Sequence, residues 1–431
     1  MDLERTANKG NRPDGLSSGA AVARRQPEPA NTSRDAVNSE AQFAGSSDSI
    51  AVYIGIPFCK TICTYCDFNV YAHLGKLFDA YVDAVKIELE IAAGAAPTPL
   101  QMRSLAFGGG TPSILPAALL VSLVEAACSH FITVPGGEVT LEANPGTVNP
   151  EKLVALKQVG VNRLSLGVQT FDDARLKAFN RRHTAEESRE AFEIARRAGF
   201  SNINVDLIFG LPEQTLQQWE ETIDRALGWA PEHLSLYGLQ VEEGTALHRQ
   251  IARGRVPQPD PDLAADMYLL AEDKLSAAGF LHYEISNYAR PGFESRHNLT
   301  YWLNQPYLGF GAGAHSYFRG ERYSNLKSPT DYIGLLHEHR SVVDTRELIS
   351  RDLEIGETMM LGLRLERGIA FDQFQARFGL DARDKFGGTI GQLVEWGLMQ
   401  TDEERMRLTT RGRLISNQVL WRFLPDEVPV E

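Results

Sequence analysis

The sequence predicts an α/β protein, built as a partial (β/α)6 TIM-type barrel with a C-terminal α+β, winged-helix-like extension. Between residues 50 and about 237, short β-rich runs alternate with amphipathic helical stretches, which indicates a parallel sheet wrapped in helices. Beyond residue 346 the pattern becomes helix, helix, short β-wing, helix. Six β/α units fit an incomplete barrel rather than a closed one of eight strands.

Six segments are predicted to be the parallel strands of this barrel. They are IAVYIGI (50–56), SLAFGG (104–109), EVTLEA (138–143), RLSLGV (163–168), NINVDLIFG (202–210) and HLSLYGL (233–239). Helical periodicity fills the intervals, as in FDAYVDAVKIELEIA and TLQQWEETIDRALGWA. In TIM-type barrels the chemistry gathers where strands end and loops begin, so the residues at those ends are the candidates for function.

The chain divides by composition into four predicted regions. Residues 1–48 are poor in large apolar side chains and are expected to be a disordered tail, because they cannot offset the entropy of ordering. The remaining regions are the partial barrel (49–240), a segment that completes it (241–345) and the winged-helix-like domain (346–431).

The net charge of −13 argues against a nucleic-acid partner, because phosphate backbones are bound mainly by an excess of Lys and Arg. We therefore expect the winged-helix-like domain to serve packing or a protein partner rather than DNA. No stretch reaches the roughly 18 apolar residues of a membrane helix. The N-terminus also lacks the apolar core of a secretory signal, so we expect a cytoplasmic protein.

Three of the four cysteines form the motif CxxxCxxC directly after the first predicted strand. The close spacing of Cys59, Cys63 and Cys66 allows three thiolates to hold a [4Fe-4S] cluster and leaves one iron open for another ligand. The alternative is a zinc site, for which His73 is the neighbour that could supply a fourth ligand. Cys128 lies in an apolar helical run, where we expect a buried thiol that packs.

Further blocks follow the cysteine motif in a fixed order. They are FGGGTPSIL (107–115), LEANPGT (141–147), SLGVQTFDDARL (165–176), RRH (181–183), NVDLIFGLPEQT (204–215) and YEISNYA (283–289). With the aromatic Tyr65 before the last cysteine, the chain resembles the radical S-adenosylmethionine (SAM) superfamily. From about residue 50 to the C-terminus it is similar to the family of oxygen-independent coproporphyrinogen III oxidases and HemW heme chaperones.

The resemblance implies S-adenosylmethionine as a second cofactor beside the cluster. The residues that it assigns to cofactor contact are Tyr53, Tyr65, Gly109, Gly110, Thr111, Glu142, Gln169, Arg181 and Asp206. Several of these also stand out without it, because Glu142, Gln169 and Asp206 are polar groups in or at the end of apolar strands. A buried acid needs a partner, and the amino and hydroxyl groups of a cofactor would supply one.

Two features separate the oxidases from the heme chaperones in this family. The oxidases resemble CxxxCxxCxC, whereas here Cys66 is followed by Asp67 and Phe68. The chain also contains HNLTYW (297–302), which matches a HNxxYW pattern that the resemblance links to heme. His297 is the predicted iron ligand, and His315 is the second candidate.

Two positions depart from the family pattern. Gly55 stands where relatives commonly carry His, and Thr64 stands where HemW-like chains often have Pro. Since the histidine lies near the reaction centre of the oxidases, its absence favours a chaperone over an enzyme. Whether the protein cleaves S-adenosylmethionine stays an open question.

Three functions are therefore weighed. The first is a heme chaperone that binds heme and passes it to acceptor hemoproteins, with a second copy of the chain as a further candidate partner. The second is an oxygen-independent coproporphyrinogen III oxidase that forms protoporphyrinogen IX. The third is a radical SAM enzyme with an unrelated substrate, which the HNxxYW pattern argues against.

Overall fold

The computed structural model describes residues 49–425, so the predicted tail at residues 1–48 lies outside the described residues. The strands are β1 (Ser49–Ile56), β2 (Phe58–Cys59), β3 (Tyr71–Ala72), β4 (Gln101–Gly109), β5 (Ile132–Ala143), β6 (Arg163–Gln169), β7 (Ile203–Phe209), β8 (His233–Gly238), β9 (Leu281–Glu284), β10 (Asn287–Ala289), β11 (Tyr307–Phe310), β12 (His315–Phe318), β13 (Glu321–Asn325), β14 (Val343–Leu348), β15 (Ile369–Ala370), β16 (Met399–Thr401) and β17 (Arg405–Leu408).

The α-helices alternate with these strands along the barrel and dominate the C-terminal region. They are α1 (Phe78–Ala95), α2 (Ala117–His130), α3 (Pro150–Gln158), α4 (Asp173–Ala178), α5 (Ala185–Arg197), α6 (Leu216–Leu227), α7 (Ala246–Ala252), α8 (Pro261–Ala277), α9 (Arg296–Trp302), α10 (Pro329–His337), α11 (Arg351–Gly362), α12 (Phe371–Phe378), α13 (Ala382–Glu395), α14 (Thr410–Leu414) and α15 (Ser416–Leu420).

The six predicted strands are confirmed as β1, β4, β5, β6, β7 and β8, which pair in parallel in that spatial order. The sheet continues on both sides. On one side β11 pairs in parallel with β1 and leads into the antiparallel strands β12, β13 and β14, and on the other side β10 and β9 follow β8. The order begins at β14 and ends at β9 without closing, which confirms a partial barrel.

The core lies between the sheet and its helices. Ile50, Val52 and Ile54 of β1 belong to the same buried cluster as Val85 and Leu89 of α1. Full burial of each aliphatic side chain contributes about 1.5 to 3 kcal/mol relative to exposure. The opposite face of β1 carries Tyr53 and Gly55 toward the barrel interior, since side chains alternate along a strand.

The prediction that Cys128 is buried is wrong, because its thiol is exposed. Helix α2 buries Leu120, Leu123, Val124 and Ala127. Each helical residue is rotated by about 100° from the one before it, so Cys128 follows Ala127 out of the buried face. The apolar run conceals this because its small residues occupy both faces of the helix.

The C-terminal region has the predicted winged-helix-like order of α12, α13, the strand pair β16–β17 and α14, with β15 added to the small sheet. Its own buried cluster extends from Ile355 to Phe423. Arg413 joins it to the barrel, because its guanidinium lies 2.5 Å from a carboxylate oxygen of Glu272 in α8 and 2.5 Å from one of Glu366. The domain boundaries at 240 and 345 stay predictions.

Within residues 49–425, no helix is long and apolar enough to cross a membrane.

Candidate cofactor site

The three cysteines lie on the loop that leaves β1, with Cys59 at the end of the short strand β2. All three thiols are half-buried. Burial raises the pKa of Cys59, and burial raises the pKa of Cys66 to about 11, with repulsion from the neighbouring thiols as a lesser cause. Since metals bind the thiolate form, the metal must displace these protons. This repulsion indicates that the three sulfur atoms lie near one another.

The loop is held by main-chain contacts from two other parts of the barrel. The amide of Thr64 donates to the carbonyl oxygen of Phe179 at 3.2 Å, and its own carbonyl accepts from the amide of Leu247 at 2.7 Å. The Asn180 side chain donates to the carbonyl oxygen of Ile62 at 2.8 Å. Fixing the loop at three points pre-organises the thiols for a cluster.

The glycine turn after β4 packs directly against the start of this loop. Gly110 and Thr111 donate their amides to the carbonyl oxygens of Ile56 and Phe58, each at 2.9 Å. A Cβ atom on Gly110 would lie 2.7 Å from the Phe58 carbonyl oxygen, which explains the glycine. These two amides are therefore used inside the protein, and the Thr111 hydroxyl lies 3.5 Å from the Cys59 sulfur.

Arg181 reaches the site from the segment after α4. Its Nη1 lies 3.6 Å from the Cys63 sulfur, and its Nη2 donates to the carbonyl oxygen of Gly167 at 2.5 Å. Its Nε and the hydroxyl of Thr140 are buried without a hydrogen-bond partner among the described residues. Both residues line the same cavity, so unpaired polar groups face the space that a cofactor would fill.

Two carboxyl groups lie near each other in the barrel interior, where Glu142 is accessible from the cavity and Asp206 is half-buried. Burial and the proximity of Asp206 raise the pKa of Glu142 to about 8, against a hydrogen bond from the Gly109 amide that lowers it. Burial also raises the pKa of Asp206, whose oxygens accept from Ser165 at 3.0 Å and from Asn204 at 2.7 Å. A cationic ligand between them would relieve both costs of burial.

A hydrogen-bonded chain behind Asp206 was not predicted from the sequence. The Asn204 side chain donates to Ser235 at 2.9 Å as well as to Asp206, and its oxygen lies 2.7 Å from His233 Nδ1. The Nε2 atom of His233 lies 2.8 Å from the Tyr283 hydroxyl. Since an amide oxygen only accepts, His233 carries its proton on Nδ1 and accepts from Tyr283. This chain fixes the orientation of Asp206.

Gln169 ends β6 in the left-handed region, at φ 70°. The register between β6 and β7 shifts at this position, which places the Gln169 side chain beside Gly167. A Cβ atom on Gly167 would lie 3.0 Å from Gln169 Nε2 and 3.1 Å from Arg181 Nη2. Backbone strain of this kind concentrates at functional sites.

All thirteen predicted site residues line one cavity of about 800 Å³. They are Tyr53, Cys59, Cys63, Tyr65, Cys66, Gly109, Gly110, Thr111, Glu142, Gln169, Arg181, Asp206 and His297. The cavity combines three thiols, a guanidinium and two carboxyl groups, which suits a cluster that carries an amino-acid ligand. The residues present therefore fit a [4Fe-4S] cluster with S-adenosylmethionine.

The zinc alternative requires a group of close ligands. Among residues 49–425, no three Cys, His, Asp or Glu side chains are close enough to hold a single metal ion. His73 lies beside Cys59 in a different cavity, described below.

His297 lies at the floor of the main cavity with both ring nitrogens occupied. Its Nδ1 is 2.9 Å from the Ser104 hydroxyl, its Nε2 is 2.8 Å from the Tyr301 hydroxyl, and its amide donates to Glu138 at 3.0 Å. Burial, followed by the nearby Arg103, lowers the pKa of His297 to about 3 and keeps the ring neutral. Iron ligation by His297 would require one of these contacts to break.

This position makes His297 a stabilising residue. We expect His297→Ala to lower the free energy of unfolding by about 2 to 4 kcal/mol, because it leaves the buried hydroxyl of Ser104 and the half-buried hydroxyl of Tyr301 without this partner. Tyr301→Phe, which removes one hydroxyl and keeps the ring, should cost about 1 kcal/mol. Chemical denaturation of the three proteins measures this, and equal midpoints for His297→Ala and wild type would contradict the position.

His315 begins β12 at an exposed position. It is absent from the residues that line the main cavity. The structure therefore separates the two histidines that the sequence offers as heme ligands.

Two protein-family models match parts of this chain. The family model of the radical SAM superfamily matches residues 53–226, and that of the HemN C-terminal domain matches residues 349–415. The heme chaperone HemW of Bacillus subtilis (strain 168) is 39% identical over 380 residues, which cover 87% of this chain and 99% of the relative.

Two further similarities extend over most of the chain. The heme chaperone HemW of Lactococcus lactis subsp. lactis is 36% identical and covers 88% of this chain and 98% of the relative. The structure of coproporphyrinogen III oxidase (HemN) from Escherichia coli, a radical SAM enzyme, superposes with a TM-score of 0.77 at 25% identity, covering 87% of this chain and 90% of that one.

Proposed function

Because this chain belongs to the HemW family of radical SAM proteins, we propose that it is a heme chaperone that carries a [4Fe-4S] cluster and S-adenosylmethionine and transfers heme to acceptor hemoproteins. The observation that carries the proposal against an oxidase lies in the cysteine loop. Phe68 stands two positions after Cys66, where the oxidase pattern has a further cysteine, and it exposes 68% of its surface. We propose that the chaperone acts in the cytoplasm, with a second copy of the chain as a candidate partner.

Cys59, Cys63 and Cys66 would hold the cluster. When bound, cluster and cofactor supply one-electron chemistry at the sulfonium. The residues around the cluster would bind and orient the S-adenosylmethionine. Arg181 offers a cation and an unpaired Nε to its carboxylate, and Glu142 offers an anion to its amino group.

The proposal is tested with anaerobically reconstituted protein in two separate assays. Hemin titration should give a Soret band shifted from that of free hemin, because ligation by the protein sets the spin state and colour of the iron. The heme should then pass to an apo-hemoprotein acceptor, followed by the spectrum of the acceptor. Coproporphyrinogen III should remain unconverted under the same conditions.

The two assays give opposite results for the alternative. Formation of protoporphyrinogen IX would favour the oxidase, and failure to bind or release heme would contradict the chaperone function. Gly55 adds a structural reason to expect no turnover. As a glycine, it offers no side chain that could act on a substrate at the position where relatives commonly carry His.

A further inference from the structure

A second cavity of about 500 Å³ opens beside the cysteine loop. We call it the His73 cleft, and it is lined by Phe58, Cys59, Lys60, His73, Leu74, Gly75, Phe78, Ile114 and Arg182. Cys59, Lys60 and Arg182 also line the main cavity, so these residues form the wall between the two. A ligand in the cleft would lie directly against the cysteine loop.

The fold positions His73 by a two-residue parallel sheet. Strand β3 pairs with β2 so that Ala72 lies opposite Cys59, and His73 is the next residue. The His73 backbone lies in the left-handed region at φ 64°, and its side chain is exposed. Histidine tolerates this conformation better than most non-glycine residues, and seven other non-glycine residues of the described chain adopt it.

His73 differs from the buried histidines in the state of its ring. Hydrogen bonds occupy the rings of His183, His233, His282 and His297. No hydrogen bond to the described residues engages the ring of His73. An imidazole ligates iron through a nitrogen lone pair, so His73 can bind iron without breaking a contact.

The walls of the cleft combine apolar surface with positive charge. Leu74, Phe78 and Ile114 are half-buried and present apolar surface, while Lys60 and Arg182 are exposed cations. None of the nine lining residues is acidic. In a chain of net charge −13 this local composition is unusual, and it favours a flat apolar ligand that carries carboxylates.

We propose that heme docks in the His73 cleft, with His73 as the iron ligand and with Lys60 and Arg182 paired to the propionates. The proposal deepens the chaperone function and rests on it. Heme is a flat apolar macrocycle with two carboxylates and an iron that accepts a nitrogen ligand, which are the three chemistries that the cleft offers. Its open side would leave part of the porphyrin accessible to an acceptor, unlike the buried ring of His297.

The test uses hemin and the reconstituted full chain. His73→Asn removes the imidazole but keeps a residue that tolerates the left-handed backbone. It should weaken hemin binding by more than about tenfold and change the Soret band. The double variant Lys60→Gln, Arg182→Gln should weaken binding about fivefold, with the Soret band unchanged and the salt dependence reduced. His339→Asn is the matched control, because His339 is also an exposed histidine in the left-handed region, at φ 54°, and lines neither cavity; it should bind hemin as wild type does.

The outcomes distinguish a failure of the proposed heme site from a failure of the proposed chaperone function. Wild-type hemin affinity and spectrum in His73→Asn would overturn the proposal, as would loss of the spectrum in His297→Asn with His73→Asn unaffected. Unchanged hemin affinity and unchanged salt dependence in the double variant would overturn the role of Lys60 and Arg182. Failure of the wild-type protein to bind hemin would instead contradict the chaperone function.

Discussion

Replacement of any one of Cys59, Cys63 and Cys66 by Ala is expected to reduce the iron bound after anaerobic reconstitution from about four per chain to near zero. Each thiolate binds one iron of the cluster, and the fourth iron has no thiolate ligand from the protein. Removing one thiol therefore opens a second iron, and the cluster is lost to solvent. Iron and sulfide content with the absorbance near the visible charge-transfer bands measures the result.

Cys128→Ala is the matched control for this experiment. It removes an exposed thiol on α2, outside the residues that line the main cavity, and should leave the iron content unchanged. Retention of about four irons in any of the three loop variants would contradict the cluster assignment. Loss of iron in Cys128→Ala would show that the exposed thiol contributes to iron binding.

The thiol pKa values add a dependence on pH to cluster assembly. Burial raises the pKa of Cys66 to about 11 and raises that of Cys59, so both thiols are protonated at neutral pH before metal binds. Each ligand must lose its proton on assembly, and metal binding therefore strengthens as the pH rises toward the pKa. The same burial that opposes the thiolates shields the assembled cluster from water.

The sequence predicted the barrel strands because their β-branched runs are bounded by glycine and polar turns, and each run became a parallel strand. It predicted the cysteine loop because the spacing of CxxxCxxC is local. The antiparallel strands β12 to β14 were not predicted as part of the main sheet. Their pairing depends on contacts distant in sequence, which periodicity does not report.

The residues that hydrogen-bond to Asp206 show the same difference between what local sequence predicts and what depends on distant contacts. Asn204 and Asp206 lie two apart in β7 and therefore on one face, which the sequence alone could have indicated. Ser165 and Ser235 join them from β6 and β8, and that meeting depends on the order of strands in the sheet. Whether the ring nitrogens of His297 are free to bind a ligand could also be seen only in the structure. Both nitrogens are hydrogen-bonded, one to Ser104 and the other to Tyr301.

Glu142→Gln and Asp206→Asn are each expected to weaken S-adenosylmethionine binding by about 2 to 4 kcal/mol while the cluster remains at about four irons. Both variants keep the volume of the side chain and remove the negative charge that faces a cationic ligand. Asp206 is also near Arg181, which contacts Cys63, so iron content is measured on each variant before titration. Calorimetry on reconstituted protein gives the affinity.

The raised pKa of Glu142 gives this prediction a second readout. In the folded chain the pKa of this carboxyl is raised to about 8, whereas in an unfolded chain it lies near its ordinary value of 4.5. The folded state therefore holds its proton between these values, and the ionised carboxylate costs stability as the pH rises through this window. Glu142→Gln should consequently stabilise the ligand-free protein at pH 8 and above, although it weakens the binding of the cofactor.

Cofactor binding should show the opposite dependence on pH. A cationic ligand selects the ionised carboxylate, so below pH 8 binding requires proton loss, and the affinity of wild type relative to Glu142→Gln should rise by about tenfold per pH unit. Glu88→Gln is the matched control, because burial raises the pKa of Glu88 to about 7 at a position that does not line the main cavity. Equal pH profiles for wild type and Glu142→Gln, or wild-type affinity in both Glu142→Gln and Asp206→Asn, would remove these carboxyl groups from the cofactor site.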